Sequence, residues 1–167
     1  QTQVSSGLQI GTGVRPVATE RIFTQGSPQQ TGGSLDLAIQ GNGFLQIAMP
    51  DGTTAYTRDG ALQLDNQGNV ITASGYPLLD AIQIPANARS ITVGKDGTVT
   101  VTVPDQVEPQ PVGQIQVATF INPGGLQSAG ENLFYETASS GEATPTEPGT
   151  NGAGVINQGY VETSNVN

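Results

Sequence analysis

Residues Leu35 to Leu79 read LDLAIQGNGFLQIAMPDGTTAYTRDGALQLDNQGNVITASGYPLL and repeat one local pattern several times. Apolar residues occupy every second position in short runs, and glycine-containing pairs separate the runs. Such alternation is typical of half-buried β-strands, and glycine lets the backbone reverse by taking a positive φ. The separating pairs are Asp51-Gly52, Asp59-Gly60, Gln67-Gly68 and Ser74-Gly75. The stretch therefore predicts a meander of antiparallel hairpins.

The pattern continues beyond Leu79. A hairpin with threonines on its outer face is predicted around Gly94-Lys95-Asp96-Gly97. A loop is predicted at Pro104 to Pro111, because proline has no N–H to donate to a sheet. The remaining predictions are a strand over 112–120, turns and irregular structure over 122–141, a surface loop over 142–154 and a closing strand over 155–161. No ten-residue stretch has a helical apolar period, so almost no helix is expected.

The ends of the chain differ from the middle. Residues 1–33 are rich in Gln, Thr, Ser and Gly but carry scattered apolar side chains, which favours an extended arm over a disordered leader. The predicted fold class is all-β, with antiparallel hairpins forming a compact domain over 34–161 behind the arm at 1–33. Residues 162–167 are predicted to lead into a helix beyond Asn167, because Ser164, Asn165 and Asn167 are helix-capping types. We therefore expect a piece of a longer protein.

Composition excludes several kinds of chemistry. The 167 residues contain no cysteine and no histidine, so disulfides, thiol or imidazole metal sites and thiol or imidazole catalysis are ruled out. Fourteen acids against five bases give a net charge of -9, which argues against a nucleic-acid partner. No apolar run exceeds three residues, far short of the roughly 18 that a membrane span needs.

Glycine-rich motifs do not indicate a nucleotide site. The segments Gly11 to Gly13 and Gly41 to Gly43 begin a dinucleotide-binding pattern but lack its last glycine, so both are interpreted as turns. The only lysine, Lys95, is followed by Asp96 and not by the Ser or Thr of a phosphate loop. Asp65 to Asn69 offers oxygen ligands but lacks the closing glutamate of a calcium loop. No cofactor and no metal is predicted.

The carboxylates do not indicate a catalytic pair either. A glycosidase needs two facing carboxyl groups, usually with aromatic platforms, whereas this chain has no tryptophan and its acids lie singly in turns or proline-rich loops. No acid is expected in an apolar run that could shift its pKa. Arg58 sits inside a turn motif and is expected to lock that turn through a carboxylate. The sequence predicts no catalytic residue and no enzyme.

Two functional classes remain from the residues alone: a structural polymer subunit, or a secreted β-rich adhesin or binding module. Four blocks of sequence resemble the bacterial flagellar rod and hook (axial) protein family, in the family's order. They are GLQIGTGVRPVATERIFTQGSPQQTGGSLDLAIQGNGFLQI (Gly7 to Ile47), AYTRDGALQLDNQGNVITASGYPLL (Ala55 to Leu79), GLQSAGENLFYETASSG (Gly125 to Gly141) and NGAGVINQGYVETSNVN (Asn151 to Asn167).

The resemblance is strongest to the distal-rod branch of that family. The interval from Leu79 to Gly125 is short, whereas hook members carry a large inserted domain there, and Gln1 to Ser6 resembles the end of a distal-rod segment. The proximal rod and hook branches are the alternatives within the family.

The resemblance implies a role, partners and a location. It implies export by the flagellar type III apparatus without a cleaved signal peptide, and homo-oligomeric stacking into a rigid helical tube that spans the periplasm. It implies proximal-rod and hook-family proteins at the tube ends and surrounding peptidoglycan and outer-membrane ring proteins, within which the rod turns and passes torque to the hook. It implies neither membrane insertion nor nucleic-acid binding.

A helical tube needs contacts in which one patch of a subunit meets a different patch of the next. The arm is the predicted contact, through Leu8, Ile10, Val14, Val17, Ile22 and Phe23. The predicted structural turn residues are Asp51, Gly52, Arg58, Asp59, Gly60, Gly68, Asp96 and Gly97.

Overall fold

A computed structural model describes residues 26–163 of the chain, and these form fifteen short strands with one 3-10 turn at Pro123–Gly125. All pairings between strands are antiparallel. The prediction of an all-β fold built from antiparallel hairpins is confirmed. The strands are β1 (Pro28–Gln30), β2 (Leu37–Gln40), β3 (Phe44–Ala48), β4 (Thr54–Thr57), β5 (Leu62–Leu64), β6 (Val70–Thr72), β7 (Ser90–Val93), β8 (Thr98–Thr102), β9 (Gln110–Gln114), β10 (Val117–Thr119), β11 (Gln127–Gly130), β12 (Leu133–Tyr135), β13 (Thr144–Thr146), β14 (Val155–Gln158) and β15 (Tyr160–Glu162).

Three hairpins form between consecutive strands of the first hundred residues, namely β3–β4, β5–β6 and β7–β8. The turn of each contains an aspartate whose side chain accepts backbone N–H groups. Asp51 Oδ1 accepts from Thr53 N at 3.0 Å, Asp65 Oδ1 accepts from Gln67 N at 2.9 Å, and Asp96 Oδ1 accepts from Thr98 N at 3.0 Å. These side-chain bonds hold the turn in a shape that the glycine beside it completes.

The continuous meander predicted for Leu35 to Leu79 is wrong in one respect, because neighbouring hairpins do not pair with each other. β2 pairs with β14, and β4 pairs with β12, so both find partners far along the chain. The central sheet runs β11–β12–β4–β3–β10–β13. Hydrogen-bond patterns of antiparallel edges are alike, so the buried faces decide which strands pair.

Several boundaries in the second half also differ from prediction. Pro111 lies inside β9 and not in a loop, at a register shift against Val99 and Thr100. β9 is an edge strand of the sheet β7–β8–β9, where proline loses no hydrogen bond. The single strand predicted over 112–120 is split between β9 and β10, which belong to different sheets. Strands β11, β12 and β13 occupy segments predicted as irregular or loop, and the closing strand is split into β14 and β15.

The central sheet is covered on both faces. Alternate residues Leu45, Ile47, Ala55, Val117 and Leu133 face the large core, which also contains buried residues of β2, β5 to β8 and β14. Phe44, Tyr56, Ala118 and Phe134 alternate with them along the same strands and belong to a smaller aromatic cluster, to which buried Leu126 and half-buried Phe120 also contribute. We call this second surface the aromatic face.

The aromatic face is held by ring contacts at right angles. Phe120 packs edge-on against Tyr56 with ring centroids 4.9 Å apart, and against Phe44 at 5.8 Å. Edge-to-face pairs of this kind add about 0.5 to 1.5 kcal/mol each beyond the area they bury. Phe120 itself stays partly exposed, so the aromatic face is only thinly covered.

Candidate subunit interface

The two ends of the described chain lie side by side. β1 pairs with β15, with Pro28 opposite Glu162. Beyond the strands, Thr163 N donates to Ser27 O at 2.9 Å, and Thr163 Oγ1 donates to the same oxygen at 2.8 Å. The first and last described residues, 26 and 163, are therefore close to each other in the fold. We call residues 26–28 and 162–163 the exit corner.

Arg58 connects this corner to the turn between β2 and β3. Its Nη1 donates to Gly41 O and Gly43 O, both at 2.8 Å, and its Nη2 donates to Ile39 O at 3.0 Å. Nη2 also lies 2.5 Å from Glu162 Oε1, and Nε lies 3.3 Å from Oε2. The side chains of Arg58 and Glu162 are only 17% and 14% exposed. The planar guanidinium thus fits two carboxylate oxygens and three carbonyl groups at once.

The sequence predicted that Arg58 binds a carboxylate, and the structure shows that this carboxylate belongs to distant Glu162. Adjacent Asp59 does not bond to Arg58: its Oδ1 accepts from Ala61 N at 3.2 Å and its Oδ2 accepts from Asn132 Nδ2 at 3.4 Å. Glu162 was not among the predicted site residues, and it lies 104 positions away from Arg58. No local signal in the sequence pairs these two side chains.

A groove opens beside the ion pair, along the aromatic face. Its volume is about 520 Å³. Arg58 and Glu162 line one part, and the apolar side chains of Phe44, Phe120 and Ile121 line another. Ile121 is 95% exposed, which is unusual for a large aliphatic side chain. We call this cavity the exit groove. The adjacent apolar pair Phe120-Ile121, which directly follows β10, is the sequence signal that could have found this groove.

The predicted turn residues fall into two kinds of position. Asp51 with Gly52, Gly68, and Asp96 with Gly97 lie in hairpin turns, and the three glycines have φ of +90°, +85° and +86°. Gly60 has no positive φ and joins β4 to β5, which do not pair. A Cβ added there would lie 1.7 Å from Leu37 O. Gly60 is therefore needed for a close approach of two chain segments, and not for a hairpin turn.

The predicted contact residues Leu8, Ile10, Val14, Val17, Ile22 and Phe23 lie outside residues 26–163. Their role stays a prediction, as do the domain limits at residues 33 and 161.

The expectation that no acid lies in an apolar run that could shift its pKa is wrong for Asp80. Burial raises the pKa of Asp80 to about 6. Its Oδ1 receives one long hydrogen bond of 3.4 Å from Gln116 N, and its buried Oδ2 has no hydrogen-bond partner. The sequence did carry the signal, since Leu78-Leu79 and Ala81-Ile82 flank this aspartate on both sides.

The turn aspartates show the opposite effect. Hydrogen bonds from Thr53 lower the pKa of Asp51, those from Asn69 lower the pKa of Asp65, and those from Thr98 lower the pKa of Asp96. These bonds favour the charged form, and all three carboxylates are in water. The hydrogen bonds to these three aspartates stabilise their turns.

The part of the chain that the structure describes has neither a metal-binding cluster nor a membrane-spanning helix. Across residues 26–163 no three acidic side chains are grouped so that they could hold a metal ion. Over the same residues there is no helix of the length and apolar character needed to cross a membrane.

Comparison with known proteins shows which proteins this chain resembles. Residues 38–101 match the family model described as the flagellar hook protein FlgE/F/G D1 domain. That segment runs from β2 to β8 and contains Arg58 with its three carbonyl partners. Over these residues the chain is similar to flagellar hook and rod proteins.

Individual relatives extend the similarity over the whole chain. The flagellar basal-body rod protein FlgG of Buchnera aphidicola subsp. Acyrthosiphon pisum is 53% identical over 167 residues, which is 100% of this chain and 64% of the relative. FlgG of Caulobacter vibrioides is 49% identical, over 98% of this chain and 62% of the relative. FlgG of Bacillus subtilis is 41% identical, over 97% and 62%. The chain thus spans somewhat less than two thirds of the length of these relatives.

Proposed function

We propose that this chain is the β-rich part of a structural subunit of the flagellar basal-body rod, in its distal section. The observation that carries the proposal is the 53% identity to a basal-body rod protein along the entire chain. The match covers the residues before β1 and after β15 as well as the β domain, so it is not limited to a shared fold.

In this proposal the subunits stack into a rigid helical tube that passes torque from the motor to the hook. The tube turns inside the peptidoglycan and outer-membrane rings, and the subunit reaches it through the flagellar export apparatus. The arrangement of acidic side chains in the described residues fits a structural role. The aspartates of the three hairpin turns, Asp51, Asp65 and Asp96, each bond within their own turn, and no three acids of residues 26–163 are grouped as a metal site would require.

A chimera tests this assignment. Residues 1–167 would replace the matching segment of the rod protein in Caulobacter vibrioides, whose own sequence is 49% identical. We expect motile cells with straight rods in isolated basal bodies, as seen by electron microscopy. A matched chimera with Arg58→Ala controls for loss of the fold. Stable, exported chimeric protein without any rod would overturn the proposal.

The arm remains our candidate for one contact between neighbouring subunits, through Leu8, Ile10, Val14, Val17, Ile22 and Phe23. Many small apolar contacts along an arm resist shear better than one joint, so the arm would keep the rod straight. Deleting residues 5–14 in the full-length protein is expected to give bent or loose rods. Straight rods of normal length after this deletion would contradict the role of the arm.

The acidic surface has a second role in the proposal. Asp105, Glu108 and Glu147 are exposed, and the net charge is -9. A hydrated negative surface would keep the rod from sticking to the rings around it. Changing Glu108 and Glu147 to Lys should slow rotation, whereas changing the same two to Gln should do so less. Equal rotation of all three proteins would exclude a role for charge.

The proximal rod and the hook stay as the second candidate, because the matching domain model covers several flagellar axial proteins. A Bacillus subtilis hook-basal body complex protein, FlhP, is also 34% identical over 96% of this chain. Placing residues 1–167 in the proximal-rod or hook gene separates the candidates. Rescue there, without rescue in the distal-rod gene, would favour the second. The adhesin alternative has no support from the relatives reported above.

A further inference from the structure

Asparagine precedes glycine at two places in the chain, Asn42-Gly43 and Asn151-Gly152. In such a pair the backbone nitrogen of the glycine can attack the side-chain amide of the asparagine, because no Cβ on the glycine blocks the approach. The attack needs a glycine N–H that solvent base can reach and a peptide plane that can rotate. The structure gives the two pairs very different surroundings in both respects.

The Asn151-Gly152 pair forms the tip of an exposed turn. The two residues have φ of +52° and +82°, and Ala153 N donates to Thr150 O at 2.8 Å, which together define a type I′ turn. Both central residues are exposed, and a Cβ added to Gly152 would meet nothing within 4 Å. There is open space around this tip on the side of the added Cβ.

Hydrogen bonds hold the tip of this turn only weakly. Among residues 26–163, no group donates to the carbonyl oxygen of Asn151 or of Gly152, and no group accepts from Gly152 N. The carboxamide of Asn151 donates once, from Nδ2 to Thr146 Oγ1 at 3.2 Å. The peptide plane between the two residues can therefore rotate at small cost, and solvent reaches its N–H.

The Asn42-Gly43 pair is held from several sides. Gly43 is buried, and a Cβ added to it would lie 3.1 Å from Val117 Cβ. The carbonyl oxygen of Asn42 accepts from Gly154 N at 2.8 Å, and the carbonyl oxygens on either side of it accept from Arg58 Nη1. Rotation of this peptide plane would break these bonds, so reaction here requires the fold to open first.

We propose that Asn151 is a site of spontaneous deamidation and that the folded structure protects Asn42 from the same reaction. The backbone nitrogen of Gly152 loses its proton to solvent base and attacks Cγ of Asn151. A bond forms between this nitrogen and Cγ, the Cγ–Nδ2 bond breaks, and Nδ2 takes a proton from solvent and leaves as ammonia. Water then opens the resulting five-membered succinimide at one of its two carbonyl groups. The products are aspartate and isoaspartate at position 151, and water is the only co-reactant.

The reaction would alter the exit groove, because Asn151 lines it together with Arg58 and Glu162. Both products add a carboxylate to this lining. Isoaspartate also lengthens the main chain of the turn by one atom, directly before the segment in which Gly154 N binds Asn42 O. The modified chain is therefore more acidic, and its contact with the turn between β2 and β3 is weakened.

Peptide mapping by mass spectrometry tests the proposal on the purified chain, incubated in mildly alkaline buffer. Trypsin separates the two sites, because residues 22–58 contain Asn42 as their only asparagine and residues 96–167 contain Asn151, which fragmentation then localises. We expect Asn151 to deamidate at least about tenfold faster than Asn42 in the folded chain, and the two rates to agree within about twofold in strong urea. Equal rates in the folded chain would overturn the proposal, as would a rate at Asn151 that is at least about tenfold slower in the folded chain than in urea.

Asn151→Gln is the matched control, since a glutamine side chain has to close a six-membered ring and reacts far more slowly. The mass gain of the 96–167 peptide should disappear in this variant, and a gain at the parent rate would contradict the assignment to Asn151. The inference does not depend on the flagellar assignment. The reaction belongs to a turn of the folded chain, so it can fail while the rod chimera works, and the reverse.

Discussion

At the scale of single residues, the charges of Arg58 and Asp80 have opposite effects on the stability of the fold. Arg58 has its hydrogen-bonding capacity filled by Glu162 and three carbonyl groups, so its charge holds distant segments together. Asp80 has one buried oxygen without a partner, so its charge opposes the fold. Removing each side chain should therefore change stability in opposite directions.

We expect Arg58→Ala to lower the free energy of unfolding by about 2 to 4 kcal/mol, because it leaves the largely buried Glu162 carboxylate uncompensated. Arg58→Lys should recover part of this, since an ammonium group cannot match the fork of contacts. Urea unfolding followed by circular dichroism measures both. Arg89→Ala, at an exposed arginine, is the control and should change stability by less than about 0.5 kcal/mol. A similar loss at both positions would contradict the role of Arg58.

Asp80 should make the protein more stable as the pH falls from 7 towards 4.5. The pKa of Asp80 is raised to about 6 in the folded chain from an ordinary 3.8, so the folded state binds this proton more tightly than the unfolded state. The destabilising charge is fully present above pH 6 and disappears between about pH 6 and pH 4. We expect a gain of about 1 to 2 kcal/mol, less than the full shift would give because part of the group contacts water.

Asp80→Asn tests this assignment by removing the charge at every pH. The variant should be more stable than the parent at pH 7, and this difference should be about a third as large at pH 4.5. Urea midpoints at the two pH values measure the difference. A variant with the same pH dependence as the parent would show that another group is responsible.

At the scale of elements, the same Asp-Gly pair serves two different connections. Asp51-Gly52 closes the β3–β4 hairpin, where a Cβ on Gly52 would meet nothing within 4 Å. Asp59-Gly60 joins β4 to β5, where the backbone passes against Leu37 O. Gly52 is needed because its backbone has a positive φ, which is a local requirement of the turn. Gly60 is needed because any Cβ at this position would collide with the backbone of a distant strand, β2.

Replacing each of these glycines by alanine should separate the two roles. Gly52→Ala should cost about 1 kcal/mol, from the strain of a side chain at positive φ. Gly60→Ala should cost more than about 3 kcal/mol, because two chain segments must move apart. Thermal and urea unfolding measure both losses. Equal losses would mean that Gly60 tolerates a Cβ through a small shift of β2.

At the scale of the whole molecule, β3 links the two packed regions. Ile47 is fully buried in the large core, and Phe44 on the same strand is buried in the aromatic cluster. Because alternate side chains of one strand belong to the two regions, neither can open without the other. The described domain should therefore unfold as one unit.

We expect Ile47→Ala to lower stability by about 2 to 5 kcal/mol and to shift two signals together. Far-UV circular dichroism reports the sheets, and near-UV circular dichroism reports the aromatic side chains. Their urea midpoints should coincide in the parent and remain coincident in the variant. An aromatic signal that survives after the far-UV signal is lost would show that the aromatic cluster is stable alone.

The sequence by itself determined the all-β class, the three local hairpins, the aspartate turns and, through four ordered blocks, the resemblance to flagellar axial proteins. These depend on alternation and on turn conformations, which neighbouring residues dictate. The tertiary structure alone decided that β2 pairs with β14, that Pro111 fits at a sheet edge and that Arg58 meets Glu162. Antiparallel edges offer nearly identical hydrogen bonds to any partner, so only the fit of side chains on both faces of a completed sheet selects among them.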